Sequence, residues 1–212
     1  MAEIHIETLE AAKDAAESND LRERVKKITL MALSERQLDK DNIKQVIRSV
    51  ISGVSSGIGD STERLKPALK ETVNGIDDAL SKSAIAAKLA AEEAAGRAEK
   101  FAKEDIKKAV EQVESLEDLF FETINTVSSQ SGELASATLR EISAHLKNTG
   151  TESGKAAIDA VKTLNGVLLT VGKESVSEIL TATKTAGNQL AQVTSGILAG
   201  MADAIKPKND SK

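Results

Sequence analysis

The side chains best suited to chemistry in this 212-residue chain are two histidines, His5 and His145, and a serine set between glycines. Gly53-Val54-Ser55-Ser56-Gly57 has the G-x-S-x-G spacing of a hydrolase nucleophile elbow. That motif needs a strand leading into a sharp turn at the serine. Here it lies inside apolar residues at helical spacing from Ile43 to Ile58, so close packing of helices is the expected use of those glycines. His145 follows Glu141 by four residues and shares a helix face with it. A carboxylate-bridged metal centre in a bundle takes Glu-x-x-His from two helices plus further glutamates, and the chain has neither copy. His5 sits in an acidic, alanine-rich stretch without a strong apolar stripe, too loose to hold a site. Asp39-Lys40-Asp41-Asn42 begins like a calcium loop, yet Ile43 occupies the next ligand position, which makes a helix cap the better reading. No phosphate-cradling glycine motif occurs, and the absence of cysteine excludes disulfides and thiolate metal sites. The expectation is a protein that is not an enzyme, with no catalytic residue, metal, cofactor or small-molecule substrate.

What must carry the function is therefore the elements themselves. There are three phenylalanines, no tryptophan or tyrosine, and two prolines, and alanine supplies much of the apolar content. Alanine, glutamate, lysine and arginine lose little side-chain freedom in a helix. Sheets draw on aromatic and β-branched residues, and aromatics are scarce here. The fold class expected is all-α. A net charge of −5 gives no overall pull toward nucleic acid, and aromatic platforms for base stacking are missing. The one basic tilt, eight Lys/Arg against five Asp/Glu from Asp20 to Arg48, reads as a solvated face. The opening MAEIHIETLEAAKDAAESND lacks the apolar segment of a secretory signal. Thr185 to Ala202 is uncharged but holds Asn188, Gln189, Gln192 and Ser195, too polar for a span. A cytoplasmic protein, peripheral on a membrane or granule at most, is the expectation.

Organisation follows from caps and stripes. Residues 1–19 read as a mobile leader. Asp20 is placed to cap a helix through Leu33, and Asp39 or Asp41 to cap a second whose stripe is Ile43, Val46, Ile47, Val50, Ile51, Val54 and Ile58. These form a two-helix head over 20–60, too small to bury a core alone. A long-helix bundle is expected over 61–206, with a polar tail at 207–212. From Leu65 to Val127 apolar residues recur in 17 steps, about 3.65 residues each. That value lies beside an 11-residue repeat of three turns rather than the 3.5 of a left-handed coiled coil. One helix of that length would span on the order of 95 Å; a fold-back at Lys103-Glu104-Asp105 is the alternative. KNTGTESG, Lys147 to Gly154, is the clearest turn. Beyond it, Lys155 to Ile205 holds only four lysines and four acids. The whole reads as an elongated bundle of long amphipathic helices carrying a small N-terminal head.

Two non-enzymatic functions fit. A stripe with an 11-residue period can lie along an interface, so coating of an apolar or lipid surface is one. On its alanine-rich repeats, such as AIAAKLAAEEAAGRAEKFAKED, the chain resembles in general character phasin-like and apolipoprotein-like helical coats of lipid or polyester particles. Through RLKPALKETVNGIDDAL and LEDLFFETI it also looks like members of an uncharacterised bacterial helical family. The residues expected to meet an apolar surface are Val161, Leu164, Leu168, Val176, Ile179, Leu190, Val193 and Ile197. The other function is an oligomeric bundle scaffold or adaptor that binds proteins. Its support is the alanine stripe Ala84, Ala87, Ala91, Ala94, Ala98 and Ala102, which offers little apolar area per turn but permits close helix approach. Glycine pairs at four-residue spacing, Gly53/Gly57 and Gly196/Gly200, are read as close crossings for the same reason. A homo-oligomer is expected in either case.

Overall fold

A computed structural model describes residues 2–35, 38–59, 61–96, 103–174 and 189–205. Its helices are α1 (Ala2–Ala15), α2 (Leu21–Ser34), α3 (Lys40–Ile58), α4 (Thr62–Gly96), α5 (Lys103–Glu114), α6 (Leu116–Gln130), α7 (Glu133–Thr149), α8 (Glu152–Glu174) and α9 (Gln189–Asp203). No strand occurs among the described residues, and the all-α fold is established.

The helix ends follow local chemistry. Asp39 caps α3 by accepting from the Asn42 backbone N–H at 2.9 Å, which satisfies one of the donors a helix start leaves free. Asp20 stands at the N-cap of α2, yet its carboxylate accepts from Arg24 and Ser18 side chains instead of a backbone N–H. Gly150 closes α7 at φ 82°, a left-handed conformation that glycine adopts without steric cost. The turn read in KNTGTESG is therefore real. Ser55 lies inside α3, so the G-x-S-x-G spacing sits on a helix and not at a strand-to-helix turn.

α4 is the axis of the fold, with α2, α3, α7, α8 and α9 packed against it. The stripe period of the sequence is visible in its burial. Leu69, Val73, Ile76, Leu80 and Ala84 are fully enclosed, and beyond the break Ile106, Val113, Leu116, Phe120 and Ile124 continue the same buried face. The long stripe is nonetheless not one helix. α4 ends at Gly96, α5 opens at Lys103, and Ser115 separates α5 from α6. Each of the three pieces turns its share of the stripe toward a single apolar core. A straight rod would leave that face in water. The Lys103-Glu104-Asp105 corner is the start of α5.

One expectation about the N-terminal region is corrected. The first residues are not a loose leader: α1 lies along α3, and Ala12 and Ala15, with Ala16 in the turn that follows, are buried. The cause sits in the partner helix. A Cβ added at Gly53 would fall 2.8 Å from the Cβ of Ala12, and one at Gly57 would fall 2.6 Å from that of Ala16, with α1 backbone carbonyls as close. Alanine on one side and glycine on the other let the two backbones nearly touch. The two helices of the head, too small to bury a core alone, dock in cis: α2 and α3 pack onto α4, with α3 also against α6 and α2 against α9, and α1 joins them as a third.

Candidate functional site

Two places in the C-terminal half have more to them than packing. The first is the start of α8. Asp77, buried in the middle of α4, accepts from the backbone N–H of Glu152 at 2.8 Å and of Ser153 at 2.9 Å. Thr151 accepts from the Gly154 N–H at 2.9 Å and donates its own proton to Glu117 of α6. A Cβ at Gly154 would fall 2.5 Å from the Glu117 carboxylate, so a side chain there would push that carboxylate aside. One carboxylate from another helix thus supplies the cap for α8, and the helix dipole favours its charge. Three helices are fixed to each other at this point.

The second place is a cleft between α5 and α9, with a void of about 50 Å³. Leu38, Ala87, Val113, Leu116, Leu190 and Leu198 make its apolar wall. Asp105, Lys108 and Gln112 of α5 and Thr194 and Ser195 of α9 add polar groups. The Oδ2 of Asp105 is buried without a hydrogen-bond partner. Desolvation holds the Asp105 carboxyl above its ordinary value, against a smaller opposing pull from Lys108.

Directional ties are distributed unevenly around this cleft. Arg22 pairs with Asp78 at 2.7 Å (α2 to α4), Lys44 with Glu122 at 2.7 Å (α3 to α6), Lys66 with Glu141 at 2.8 Å (α4 to α7) and Lys88 with Asp159 at 2.7 Å (α4 to α8). The hydrogen bond from Lys88, and then its charge, hold Asp159 below the usual carboxylate range. Among the described residues no ion pair reaches α9, whose one ionisable side chain is Asp203. α9 rests on α2 and α4 through Leu190, Leu198 and Ala202, with one polar tie from the Ser195 hydroxyl to the Ser34 carbonyl.

Against known families, residues 2–207 match DUF6781, a family of unknown function. The chain belongs to that family. No curated protein and no solved structure matches it. The likeness to an uncharacterised helical family thus has a basis in the whole chain, whereas nothing found links this DUF6781 member to phasins or apolipoproteins.

In this DUF6781 chain the residues expected on an apolar surface face inward. Leu164 and Leu190 are buried, and Val161, Leu168, Val193 and Ile197 are partly buried against the core. Val176 and Ile179 lie outside the described residues. In the alanine stripe, Ala84, Ala87 and Ala91 are buried; Ala94 lies in α4 with its side chain undescribed, and Ala98 and Ala102 lie outside the described residues. Gly53 and Gly57 make a close crossing, but Gly196 and Gly200 do not: a Cβ at either would meet nothing within 4 Å. Those two glycines are on the outward face of α9, away from α2 and α4.

The histidines also differ from expectation in one case. His145 is exposed on α7, while Glu141 is engaged by Lys66. His5 is held in α1 with both ring nitrogens buried and unpartnered, so it is not in a loose segment. Among the described residues no group of three or more His, Asp or Glu side chains is placed to hold a metal ion, and no helix is long and apolar enough to cross a membrane. Asp77 and Asp105 were not singled out from the sequence. A signal existed for Asp77: it stands four residues after Val73 and three before Leu80, on the buried stripe, where a carboxylate needs a partner.

Proposed function

We propose that the protein associates reversibly with an apolar or lipid surface, and that α9 is the helix that leaves the bundle to do so. One observation carries this reading: α2, α3, α7 and α8, which pack on α4, are each tied into the bundle by an ion pair between helices, whereas α9 is held by apolar contact above a void. Leu190, Val193, Ile197, Leu198 and Met201 give α9 an apolar face, and its other face (Gln192, Gly196, Ala199, Gly200) is small and uncharged. Fully burying each large side chain is worth about 1.5–3 kcal/mol in either setting. Exchange of a protein groove for an interface is therefore close to balanced, which is the condition for a reversible switch. The coat-like character of the alanine-rich repeats agrees with it.

The test uses the absence of native cysteine. Ser34→Cys with Ser195→Cys places two thiols where the Ser195 side chain already reaches the Ser34 backbone. Flotation with neutral phosphatidylcholine vesicles and with alkane droplets is compared for the oxidised and reduced protein. Flotation of the reduced form only is the expected result. Equal flotation of both forms, with the disulfide shown to be closed, would rule out α9 as the mobile element.

A protein-binding scaffold is the second reading, and Ile158 and Leu169 favour it. Both are more than half exposed on α8, at 62% and 69%, and their 11-residue spacing puts them on one face. If the wild type floats with neither particle, that face becomes the surface to pursue, and Ile158→Glu with Leu169→Glu should abolish self-association or partner capture.

A further inference from the structure

We infer that the cleft between α5 and α9 takes the end of an unbranched alkyl chain, with the polar head of that molecule left outside. This stands on the cleft with α9 in place and does not depend on release of the helix. The cleft has a floor and a mouth. Ala87 of α4, Ala109 and Val113 of α5, Leu116 of α6, and Leu190 and Leu198 of α9 line it and are buried. Lys108 is exposed, and Gln112 and Ala191 are partly buried, so the opening lies on their side. Room for a guest comes from the two alanines. Each presents one methyl group where Leu80 and Ile106, earlier in the same helices, carry full side chains into the core.

The floor is alkyl throughout, and that selects which end of the guest enters. Of the polar side chains nearby, Thr194 spends its hydroxyl proton on the Leu190 carbonyl at 2.8 Å, and Ser195 spends its own on the Ser34 carbonyl. The Oδ2 of Asp105 has no accessible surface, so it does not serve a guest either. A polar group carried to the floor would lose its water without replacement, whereas a methyl end loses only contact that water disfavours. Size sets the length. A single water needs ~10–15 Å³ of such volume, so a void of about 50 Å³ takes roughly three or four carbons in a row. The remainder of the chain and its head then meet solvent beside Lys108 and Gln112.

The experiment is a titration of the full chain with the straight 1-alkanols from ethanol to 1-heptanol, followed by ¹H–¹⁵N correlation spectra. No vesicles are present, so the result is separate from flotation. Saturable shifts are expected at backbone amides of residues 109–116 and 190–198. Affinity should rise about fourfold per methylene up to 1-butanol, the gain for burying one such group, and by less than about twofold per methylene from 1-pentanol onward. 1,4-Butanediol carries a hydroxyl where butanol has its methyl end, and should bind at least about fivefold more weakly than 1-butanol. Ala109→Leu adds three carbons at the floor, about what the void takes, and should abolish binding while the protein stays folded. If that variant does not fold, Ala191→Leu, which blocks the mouth from a partly buried position, decides in its place. The inference is overturned by any of four results: no saturable shift at those amides, no dependence on chain length, equal affinity for butanol and butanediol, or unchanged binding in the folded leucine variant.

Discussion

Asp77→Ala should cost more stability than any other single polar substitution in α4. Asp77 is 5% exposed and bonds two backbone N–H groups that α8 cannot satisfy internally. The two donors differ in what happens when the carboxylate goes. Glu152 is exposed, so water can replace one bond, and that loss is small. Ser153 is fully buried, and its N–H would be stranded at about 1–3 kcal/mol. The favourable position of a negative charge at a helix start adds up to ~2 kcal/mol in a partly buried setting. Thr151 keeps the Gly154 N–H in both proteins. The expected loss is about 3 kcal/mol, and for a chain of this size that lowers the melting temperature by roughly 6–12 °C. Asp77→Asn keeps one acceptor but points an NH₂ at the second donor, so it should lose about half to two-thirds as much.

The assay is thermal unfolding combined with amide hydrogen exchange. In Asp77→Ala, protection at residues 152–154 should fall by more than protection in α3, because the damage begins at the start of α8. A loss under ~0.5 kcal/mol, with residues 152–154 protected as in the wild type, would refute the reasoning and show that Thr151 caps α8 alone.

Three further outcomes are expected. Gly53→Ala should destabilise by about 1–3 kcal/mol through overpacking against α1, despite alanine's better helix propensity, and the loss should appear as earlier exchange of α1 amides. Gly196→Ala meets open space, so it should gain up to ~1 kcal/mol in a denaturant melt; a loss would mean that another surface covers that face. Asp105→Leu trades a helix-start charge worth ~0.3–1 kcal/mol for relief of an unpaired buried oxygen worth ~1–3 kcal/mol, a net gain of about 1 kcal/mol at neutral pH. Because folding raises the Asp105 carboxyl above its ordinary value near 3.8, the wild type regains stability as pH falls through that raised value toward 3.8 and gains nothing further below it. The gap between the two proteins should therefore narrow on acidification, and a gap that widened in urea melts between pH 7 and pH 4 would reject the desolvated carboxylate.

Local signals in the sequence carried a long way here, and where they stopped is informative. The Asp39 cap and the Gly150 turn needed only neighbouring residues, so they were legible. The stripe from Leu69 to Val127 predicted burial at every position whose side chain is described, because period alone decides which face meets the interior. It did not predict how many helices share that stripe, since dividing it among α4, α5 and α6 keeps the period and changes only the path. α1 was missed for a related reason. Ala12, Ala15 and Ala16 bury too little area to stand out as a stripe, and their fit depends on Gly53 and Gly57, some forty residues away. The same glycine spacing at Gly196 and Gly200 meant something different, because spacing shows that close approach is permitted and not that a partner is there.

The question of function turns on that distinction. An amphipathic helix needs an apolar neighbour, and its stripe is the same whether the neighbour is another helix or an interface. The side chains of α8 and α9 expected at a surface therefore pack inward without arguing against surface binding, provided the helix can leave. What separates the two cases is the strength of the ties that hold each helix, and these arise between residues far apart in sequence. α8 has Asp77 at its start and Lys88 on its flank. It is anchored, so the stripe Val161, Leu164 and Leu168 belongs to the core. α9 has Leu190, Val193 and Ile197 on a similar stripe and no charged tie among the described residues. If a surface is bound, these side chains should separate in their behaviour: Leu164→Glu should unfold the bundle, whereas Ile197→Glu should leave the helical signal near that of the wild type and remove flotation. Unfolding by both would make α9 a core helix and leave the exposed face of α8 as the place where a partner is met.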